Sequence, residues 1–382
     1  MGLYSPLGAA FSIPEEIAYL NQAYMSPQLS RLTDVGLEAM RAKEQPWVIP
    51  GSAFFEPVES LRQEMGTLMG TTREHISLIP AVSYGISWAA GALPSKPRGQ
   101  LLLLAEQFPS NVYPWRARAE TTGETVEMVQ RSPGATWTDA VLERIGPDTS
   151  IVAIPACHWS DGSRVDLRKV REATREVGAA LVLDLTQSLG AVPFHVGEID
   201  PDVVVAGGYK WLIGPYSLGY MYVSERWHQL QPMENNWITR EDSHLFSQLV
   251  DYRDSYEPGA RRFDVGERSN FFLVPIALEA LRTLNEWTPK RIAADLNQIT
   301  RAISDQLRHA GWTVPSADEA SPHMLGVRSS RPLPDDLPAQ LAERGIYVSV
   351  RGNSIRISPY LYTREEDVHR LVSTLEEIHH HF

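Results

Sequence analysis

Short runs of hydrophobic residues recur through the middle of the chain and alternate with longer segments of helical periodicity. The runs are LLLL at 101–104, IVAI at 151–154, LVL at 181–183, VVV at 203–205 and LGYMYV at 218–223. They are short and lack alternating polar residues, which is typical of strands buried on both faces of a parallel sheet. Between them, DLRKVREATREVG at 166–178 has Asp near its start and Gly at its end, as a helix does. This alternation predicts an α/β fold with helices on both faces of the sheet.

The pattern changes after about residue 275. Two long segments of helical periodicity lie at 275–287 and 289–311, followed by a hairpin-like stretch at 347–358 and a final helix at 364–378. We therefore expect a smaller α+β domain in the C-terminal part of the chain. Three consecutive histidines, 379–381, are interpreted as the end of a helix and not as a metal site.

The composition excludes several functional classes. The 382 residues are 43% hydrophobic and 21% charged with a formal net charge of −12, which disfavours a nucleic acid or an anionic membrane as a partner. The single cysteine, Cys157, excludes an internal disulfide and favours a reducing, cytoplasmic compartment. No stretch approaches the roughly 20 apolar residues of a membrane helix. The N-terminus lacks the basic and apolar regions of a secretory signal.

Several polar and aromatic residues directly follow the predicted strands, where ligands bind in open α/β sheets. They are Phe108 after LLLL; His158, Trp159 and Asp161 after IVAI; Asp184 and Gln187 after LVL; and Tyr209 and Lys210 after VVV. Ala81, Val82 and Ser83 stand at the predicted start of another helix. Taken singly, each of these residues has an ordinary structural role in a turn, a helix cap or the core.

Taken together, these residue types suit one cofactor. A lysine held among apolar residues and glycines is desolvated, which lowers the pKa of its amine and makes it nucleophilic towards an aldehyde. A carboxylate at a neighbouring strand end can keep a heteroaromatic nitrogen protonated, the start of a helix binds phosphate, and an aromatic side chain can cover a flat ring. Aldehyde, ring nitrogen, phosphate and flat ring together describe pyridoxal 5′-phosphate (PLP). Lys210 is accordingly predicted to form a Schiff base with PLP.

Other cofactors have less support in the sequence. No G-x-G-x-x-G follows a predicted strand, which disfavours a dinucleotide site. The segment GGYKWLIG does not have the order of glycines, lysine and hydroxyl residue that defines a P-loop. Zinc motifs of the H-E-x-x-H or paired C-x-x-C type are absent from the sequence, so no metal is predicted.

The segment from DLTQSLG to GPYSLGYMYV resembles the central signature of the class V aminotransferase family of PLP-dependent enzymes. Its matching positions are Asp184, Gln187 and Gly190 in DLTQSLG, and Asp202 and Lys210 in IDPDVVVAGGYKW. The family includes cysteine desulfurases, kynureninases and isopenicillin N epimerase-like proteins. Similarity extends to YLNQAYMSP, PAVSYGI, EQFPSN, RRFDVGERSN and SIRISPYLYTREEDVHRL, and so covers almost the whole chain.

The resemblance implies the PLP-dependent transferase fold, fold type I, with a mostly parallel seven-stranded sheet in a large domain. The implied boundaries are 1–28 for an N-terminal segment packed on the small domain, 29–286 for the large PLP-binding domain and 287–382 for the small domain. The resemblance also implies a homodimer in which the loop around Gly266–Asn270 lies near the neighbouring subunit's site.

Residue roles follow from the same resemblance. Lys210 is the implied catalytic residue, which binds the cofactor and shuttles the proton. The implied cofactor-binding residues are Ala81, Val82, Ser83, Phe108, Asp161, Asp184, Gln187, Tyr209 and Lys210. Asp184 would pair with the pyridinium, Gln187 with the ring oxygen, and Phe108 would stack on the ring. Val82, Ser83 and Tyr209 would hold the phosphate. The implied substrate-binding residues are Asn21, His158, Trp159 and Arg356, and the planar guanidinium of Arg356 suits a carboxylate.

Departures from the family pattern bear on the reaction. A desulfurase needs a cysteine nucleophile in the C-terminal part of the chain, whereas Cys157 directly follows a predicted buried strand. Removal of the α-proton of an amino acid, with Lys210 as base, serves transamination, β-elimination and epimerisation alike. Transamination is our first hypothesis, and a lyase or epimerase without a catalytic cysteine is the alternative. A non-catalytic protein is disfavoured because Lys210, Asp184 and Arg356 are all present.

Overall fold

Helices and strands alternate through most of the computed structural model, which describes residues 5–132, 134–329 and 331–381. The strands are β1 (Ala18–Tyr19), β2 (Ile76–Ile79), β3 (Gln100–Leu104), β4 (Thr125–Val129), β5 (Thr149–Pro155), β6 (Ala180–Asp184), β7 (Val203–Gly207), β8 (Gly219–Val223), β9 (Leu325–Val327), β10 (Ile346–Tyr347), β11 (Ser349–Arg351) and β12 (Ser354–Ile357). The α-helices are α1 (Ser30–Ala42), α2 (Glu56–Met69), α3 (Val82–Ala92), α4 (Tyr113–Thr122), α5 (Trp137–Leu142), α6 (Leu167–Glu176), α7 (Val196–Ile199), α8 (Leu273–Trp287), α9 (Pro289–His309), α10 (Leu337–Glu343) and α11 (Glu365–His381).

The central sheet has seven strands in the order β2-β8-β7-β6-β5-β3-β4. Strand β8 is antiparallel to both of its neighbours, and the other adjacent pairs are parallel. The prediction of a mostly parallel seven-stranded sheet is confirmed. All five hydrophobic runs form strands, each within one or two residues of its predicted bounds. Strands β2 and β4 were not predicted.

Buried strands explain why the hydrophobic runs have no polar alternation. On β3, Leu101 and Leu103 pack into one hydrophobic cluster, whereas Leu102 and Leu104 pack into another on the opposite face. Successive side chains of a strand point to opposite faces, so helices on both faces require a hydrophobic residue at every position. Strand β4, at the edge of the sheet, keeps polar residues and was missed for that reason.

The C-terminal part of the chain contains a separate antiparallel sheet in the order β11-β12-β9. The predicted hairpin at 347–358 is present as β11 and β12, and the final helix α11 extends beyond its predicted end to His381. The N-terminal segment joins this part of the fold, because β1 pairs in parallel with β10. The extreme termini, residues 1–4 and 382, lie outside the described residues.

A buried ion pair connects helix α2 with the segment that precedes α8. The guanidinium of Arg62 binds the carboxylate of Asp264, and both side chains are fully buried. Asp264 Oδ1 also accepts a 2.8 Å hydrogen bond from the backbone N–H of Leu78 in β2. Arg268 donates to the same carboxylate at 2.5 Å. The start of the loop 266–270 is therefore fixed to the sheet by charge-assisted hydrogen bonds.

Candidate active site

A cavity of about 270 Å³ lies at the carboxyl ends of β3, β5, β6 and β7, facing the start of α3. Nine of the residues singled out in the sequence line it: Ala81, Val82, Ser83, Phe108, Trp159, Asp184, Gln187, Tyr209 and Lys210. Strands that are neighbours in a parallel sheet end at the same edge, so residues far apart in sequence meet there. This is the expected position of a ligand site in an open α/β sheet.

Lys210 is placed in the cavity by the loop between β7 and β8. A Cβ atom at Gly208 would lie 2.6 Å from the carbonyl oxygen of Leu218, so only glycine allows this close approach of the two ends of the loop. The backbone N–H of Gly208 donates to that same carbonyl at 2.9 Å. The carbonyl of Lys210 accepts a 2.9 Å hydrogen bond from Gln22 Nε2. The backbone at the lysine is thus held from two sides.

The amine of Lys210 lies in apolar surroundings. Only 7% of the residue is exposed, and Nζ lies 5.6 Å from the ring centroid of Phe108 and 5.5 Å from that of Tyr209. Burial, with the charge of Arg356 adding to it, lowers the pKa of Lys210 to about 8, while the carboxylate of Asp184 opposes the shift. A substantial fraction of the amine is therefore neutral near physiological pH, which makes it both a nucleophile and a base.

Asp184 is the last residue of β6 and is buried in the cavity wall. Its Oδ1 accepts a 3.0 Å hydrogen bond from the backbone N–H of Thr186. Burial raises the pKa of Asp184, and the hydrogen bond from Thr186 and the nearby Lys210 oppose that shift. A desolvated carboxylate is stabilised by a cationic partner, so this side chain suits a protonated ring nitrogen.

The start of α3 faces the cavity through Ala81, Val82 and Ser83. Ala81 is the N-cap and provides no side-chain hydrogen bond, and the first turn contains no acidic residue. The backbone N–H of Tyr84 donates to the carbonyl of Ala81 at 3.1 Å, whereas the N–H groups of Val82 and Ser83 and the positive end of the helix dipole are available to an anion. Helix α3 packs closely on the sheet, since a Cβ at Gly85 would lie 2.7 Å from Val205 Cγ1. These features suit a phosphate, with Ser83 and Tyr209 beside it.

Two aromatic side chains form another wall. The rings of Phe108 and Trp159 meet edge to face, with centroids 5.5 Å apart and an interplanar angle of 80°. Trp159 is held by a 2.6 Å hydrogen bond from Nε1 to the carbonyl of Glu106. Phe108 lines the cavity and is 40% exposed, so its ring is free to cover a flat ligand.

Gln187 has one amide N–H left for a ligand. Its Nε2 donates to the carbonyl of Ala23 at 3.1 Å, and its Oε1 accepts from Trp211 Nε1 at 3.1 Å. The second N–H of this amide has no acceptor among the described residues, and Gln187 lines the cavity. It suits an oxygen acceptor on a bound ring.

Arg356 lies behind Trp159 rather than on the cavity wall itself. The residue is 1% exposed, and its guanidinium donates to the carbonyl of Trp159 at 2.9 Å and to Ser349 Oγ at 3.3 Å. Ser349 in turn donates to Asn21 Oδ1 at 2.8 Å. Burial and the neighbouring charge of Arg351 lower the pKa of Arg356 to about 9. Asn21 therefore contacts the hydrogen-bond chain that orients Arg356, and it does not line the cavity.

The structure does not place His158 or Asp161 at the cavity, in contrast to the sequence-based expectation. His158 is buried, with Nε2 3.0 Å from the carbonyl of Ala105, and it stacks on Trp137. Asp161 accepts hydrogen bonds from Ser163 and pairs with Arg328 at 3.1 Å. Both side chains stabilise the loop after β5, and the adjacent cavity residue is Trp159.

Other cavity residues were not singled out as site residues from the sequence. They are Pro80, Gln107, Ser110, Asn111, Pro155, Cys157, Thr186, Gly207, Tyr216, Ser217 and Leu218. Most of them lie within or beside the motifs that carry the resemblance, which was the available signal. Asn111 has a buried Nδ2 that lacks a hydrogen-bond partner among the described residues. Burial raises the pKa of the Cys157 thiol to about 12, so this residue is an unreactive part of the wall.

The sequence comparison decides the family. The family model described as "Aminotransferase class-V" matches residues 50–371. The chain belongs to this family. Its members are PLP-dependent enzymes, and the lysine, buried carboxylate, helix start and exposed aromatic ring of the cavity fit PLP group by group. The predictions of the family, of a PLP cofactor and of an enzyme are confirmed.

Similar curated proteins have different activities. "Uncharacterized aminotransferase YcbU" of Bacillus subtilis (strain 168) is 23% identical over 361 residues, which cover 94% of this chain and 93% of the relative. Kynureninase of Bacillus anthracis is 22% identical, with coverage of 90% and 82%. Isopenicillin N epimerase of Streptomyces clavuligerus is 22% identical, with coverage of 85% and 87%. These relatives share the family and differ in the reactions that their names describe.

Solved structures share the fold. The apo cysteine desulfurase of Thermococcus onnurineus NA1 superposes with a TM-score of 0.84 at 17% identity, covering 96% of both chains. A mutant of C-DES, solved with glycine covalently linked to its PLP cofactor, also has a TM-score of 0.84 at 17% identity, with coverage of 98% and 100%. The prediction of fold type I is confirmed.

Two further features of the described residues bear on other functions. No helix within them is long and apolar enough to cross a membrane. Within the same residues, no group of three or more His, Cys, Asp or Glu side chains has the arrangement of a metal site.

Proposed function

We propose that this enzyme transaminates an amino acid, with Lys210 as the catalytic base and Arg356 as the group that binds the substrate's α-carboxylate. The observation that carries the proposal is the buried amine of Lys210, whose pKa is lowered to about 8 by desolvation and by the charge of Arg356. Transamination needs a base that both removes and returns a proton, and an amine titrating near neutral pH does both. The similarity to an aminotransferase over 94% of the chain supports the same choice.

PLP, when bound, withdraws electrons from the carbon next to the substrate nitrogen and so makes its proton removable. The chain's own residues provide the rest. Asp184 would hold the ring nitrogen protonated, Gln187 would donate its second N–H to the ring oxygen, and Phe108 would cover the ring. The N–H groups at the start of α3, with Ser83 and Tyr209, would bind the phosphate. Lys210 Nζ, on the loop fixed by Gln22, moves the proton.

An amino-acid panel tests the reaction. Purified holoenzyme is incubated with single amino acids and a 2-keto acid acceptor, and new amino acid, free ammonia, sulfide and loss of optical purity are measured in parallel. Amino transfer without free ammonia is expected. Release of ammonia or sulfide would refute transamination and indicate β-elimination. Loss of the substrate's optical purity would refute it and indicate epimerisation.

Lys210→Ala tests the base. We expect the variant to lose the visible absorbance of the covalently bound cofactor and at least about 10³-fold in turnover, because the general base contributes about 10²–10⁴-fold and the cofactor attachment is lost as well. Lys96→Ala is the matched control, since the amine of Lys96 donates only to the backbone carbonyls of Thr149 and Val177. An active, coloured Lys210→Ala protein would refute the assignment.

We further propose a cytoplasmic homodimer in which the loop 266–270 lies near the neighbouring subunit's site. The single cysteine supports the compartment. Support for the dimer comes from strongly exposed apolar side chains, Trp47 at 79%, Val250 at 77% and Tyr252 at 93%. The two segments that carry them meet where the rings of Phe54 and Phe246 pack with centroids 5.5 Å apart, and clustered exposed apolar side chains are typical of interaction surfaces. Sedimentation of the holoenzyme tests it, and an active monomer at assay concentration would contradict it.

The domain division 1–28, 29–286 and 287–382 also stays our proposal. Its support is the pairing of β1 with β10 and the separate sheet β11-β12-β9. Limited proteolysis should cut first near the proposed boundary at residue 287, and stable fragments with other ends would refute the division.

A further inference from the structure

Arg351 and Arg356 point to the same face of the hairpin formed by β11 and β12. Ser349 is the direct cross-strand partner of Arg356, and Arg351 pairs with Ser354. Residues two apart on a strand share a face, so Arg351 lies on the side of Ser349 and hence on the side of Arg356. Such diagonal neighbours have Cα atoms roughly 7–8 Å apart, within reach of two long side chains. The hairpin therefore places both arginine side chains on one face, near enough for the charge of Arg351 to lower the pKa of Arg356.

Both guanidinium groups contact Trp159, which lines the cavity. Arg356 donates to the carbonyl oxygen of Trp159 at 2.9 Å. Arg351 lies over the indole ring, with its guanidinium carbon 5.5 Å from the ring centroid. The two cations thus both contact Trp159 of the cavity wall, one at its carbonyl and the other at its ring, and each lowers the pKa of the Lys210 amine.

Neither cation is neutralised within the described chain. No carboxylate of a described residue lies within 4.0 Å of either guanidinium, whereas the buried Arg62 and Arg118 pair with Asp264 and Glu124. The Nε atoms of Arg351 and Arg356 are both buried without a hydrogen-bond partner in that part of the chain. The only hydrogen bond from the guanidinium of Arg351 to a described residue goes to the carbonyl of Val350, next to it in sequence.

Two adjacent, partly desolvated cations without counter-charge are unfavourable unless an anion joins them. Burial lowers the pKa of both groups, and the charge of Arg351 lowers that of Arg356 further. A single α-carboxylate satisfies one guanidinium through two parallel hydrogen bonds. The charge of the second guanidinium then still lacks a partner, and a second anionic group supplies one.

We propose that the substrate is an amino acid with a second anionic group on its side chain, and that Arg351 binds this group while Arg356 binds the α-carboxylate. The inference rests on the proposed function for the role of Arg356, and it adds the substrate class. Arg351 is then the residue that determines specificity.

Binding of non-reacting acids to the holoenzyme tests the inference. Succinate, glutarate and adipate are compared with butyrate by titration calorimetry, using wild type, Arg351→Gln, Arg356→Gln and the control Arg308→Gln. Arg308 is suitable because it is exposed and pairs with Asp305 on the surface of α9. We expect one diacid to bind wild type at least about 10-fold more tightly than butyrate, as a charge-assisted hydrogen bond pair provides.

The variants separate the two arginines. Arg351→Gln should remove the preference for the diacid and leave butyrate unchanged, while Arg356→Gln should weaken both ligands. Equal weakening of diacid and butyrate by Arg351→Gln would show that both arginines bind one carboxylate, and a wild type without diacid preference would also overturn the inference. Unchanged visible absorbance and thermal midpoint establish that each variant is folded and loaded with cofactor.

The outcomes distinguish this inference from the proposed function. These acids carry no amino group, so their binding does not depend on turnover. A holoenzyme that prefers diacids but fails to transfer an amino group refutes transamination alone. A holoenzyme that transaminates only neutral amino acids, without diacid preference, refutes the substrate class alone.

Discussion

The side-chain amide of Gln22 donates a 2.9 Å hydrogen bond to the backbone carbonyl of Lys210, 188 residues further along the chain. Gln22 is fully buried, and its Oε1 accepts a 3.0 Å hydrogen bond from the hydroxyl of Tyr362. The N-terminal segment therefore connects the loop of the candidate catalytic lysine with the C-terminal part of the fold. The position of Lys210 depends on segments from both ends of the chain.

Gln22→Ala should destabilise the protein and loosen the lysine loop. The variant leaves the hydroxyl of Tyr362 buried without a partner among the described residues, at a cost of about 1–3 kcal/mol. It also removes one of the two hydrogen bonds to the carbonyl of Lys210, which keeps the 3.1 Å bond from the backbone N–H of Ile213. We expect the free energy of unfolding to fall by about 2 kcal/mol or more, together with weaker PLP binding. Chemical denaturation and PLP titration measure the two effects. Gln28→Ala is the control, since Gln28 is exposed and bonds only the hydroxyl of Thr33.

PLP binding to the apo-protein should accelerate with rising pH up to about 8. Only the neutral amine of Lys210 attacks an aldehyde, and its pKa is lowered to about 8. The neutral fraction grows about tenfold per pH unit below that value and levels off above it. Stopped-flow absorbance after mixing apo-protein with PLP measures the rate. A rate that keeps rising to pH 10 would mean that Lys210 has its ordinary pKa.

The same shift predicts the sign of a stability change in the apo-protein. Between about pH 8 and the ordinary lysine pKa of 10.5, the unfolded chain holds more protons on Lys210 than the folded chain does. Stability contributed by this group therefore rises with pH in that interval. Lys210→Met removes the titrating group. The unfolding free energy of wild type, relative to that of the variant, should therefore rise from pH 8 to 10.5. A difference that is independent of pH would contradict the shift.

Asp184→Asn should leave the stability of the apo-protein unchanged or higher, but it should lower the turnover of the enzyme with PLP. Burial of the charged carboxylate is unfavourable, as the raised pKa of Asp184 indicates, so the neutral amide should leave the apo-protein equally or more stable. With PLP, the ring nitrogen loses its anionic partner, and we expect turnover to fall by at least about 10²-fold. Thermal midpoints with and without PLP, together with kcat, measure these effects. Asp254→Asn, an exposed change, serves as the control.

Cys157→Ala should retain turnover within a few-fold of wild type. The thiol is 2% exposed, its Sγ lies 3.5 Å from the carbonyl of Gln187, and burial raises its pKa to about 12. Such a thiol is neither ionised nor accessible at neutral pH. Kinetics of the variant and the rate of alkylation of wild type by iodoacetamide provide the measurements. Loss of all activity in Cys157→Ala would contradict this prediction and indicate that the thiol takes part in catalysis.

The local pattern of the sequence determined the large-scale fold. Strands such as β3 and β7 are buried on both faces, so their hydrophobic runs identify them without knowledge of their neighbours. The residue types that follow the predicted strands, a carboxylate at Asp184, a lysine at Lys210 and a helix start at Ala81, predicted the cofactor together. The resemblance of the segment around Asp184 and Lys210 to the family signature agreed with that prediction. The edge strand β4 carries too little of this signal to be recognised.

Only the tertiary structure decided which of the neighbouring polar residues face the cavity. His158, Trp159 and Asp161 are close in sequence, yet Trp159 lines the cavity while Asp161 pairs with Arg328. A loop's side-chain directions are set by partners that arrive from distant segments, and these partners leave no local trace in the sequence. The same is true of Arg351, whose importance follows from sharing a hairpin face with Arg356 and from the absence of a carboxylate beside either residue within the described chain.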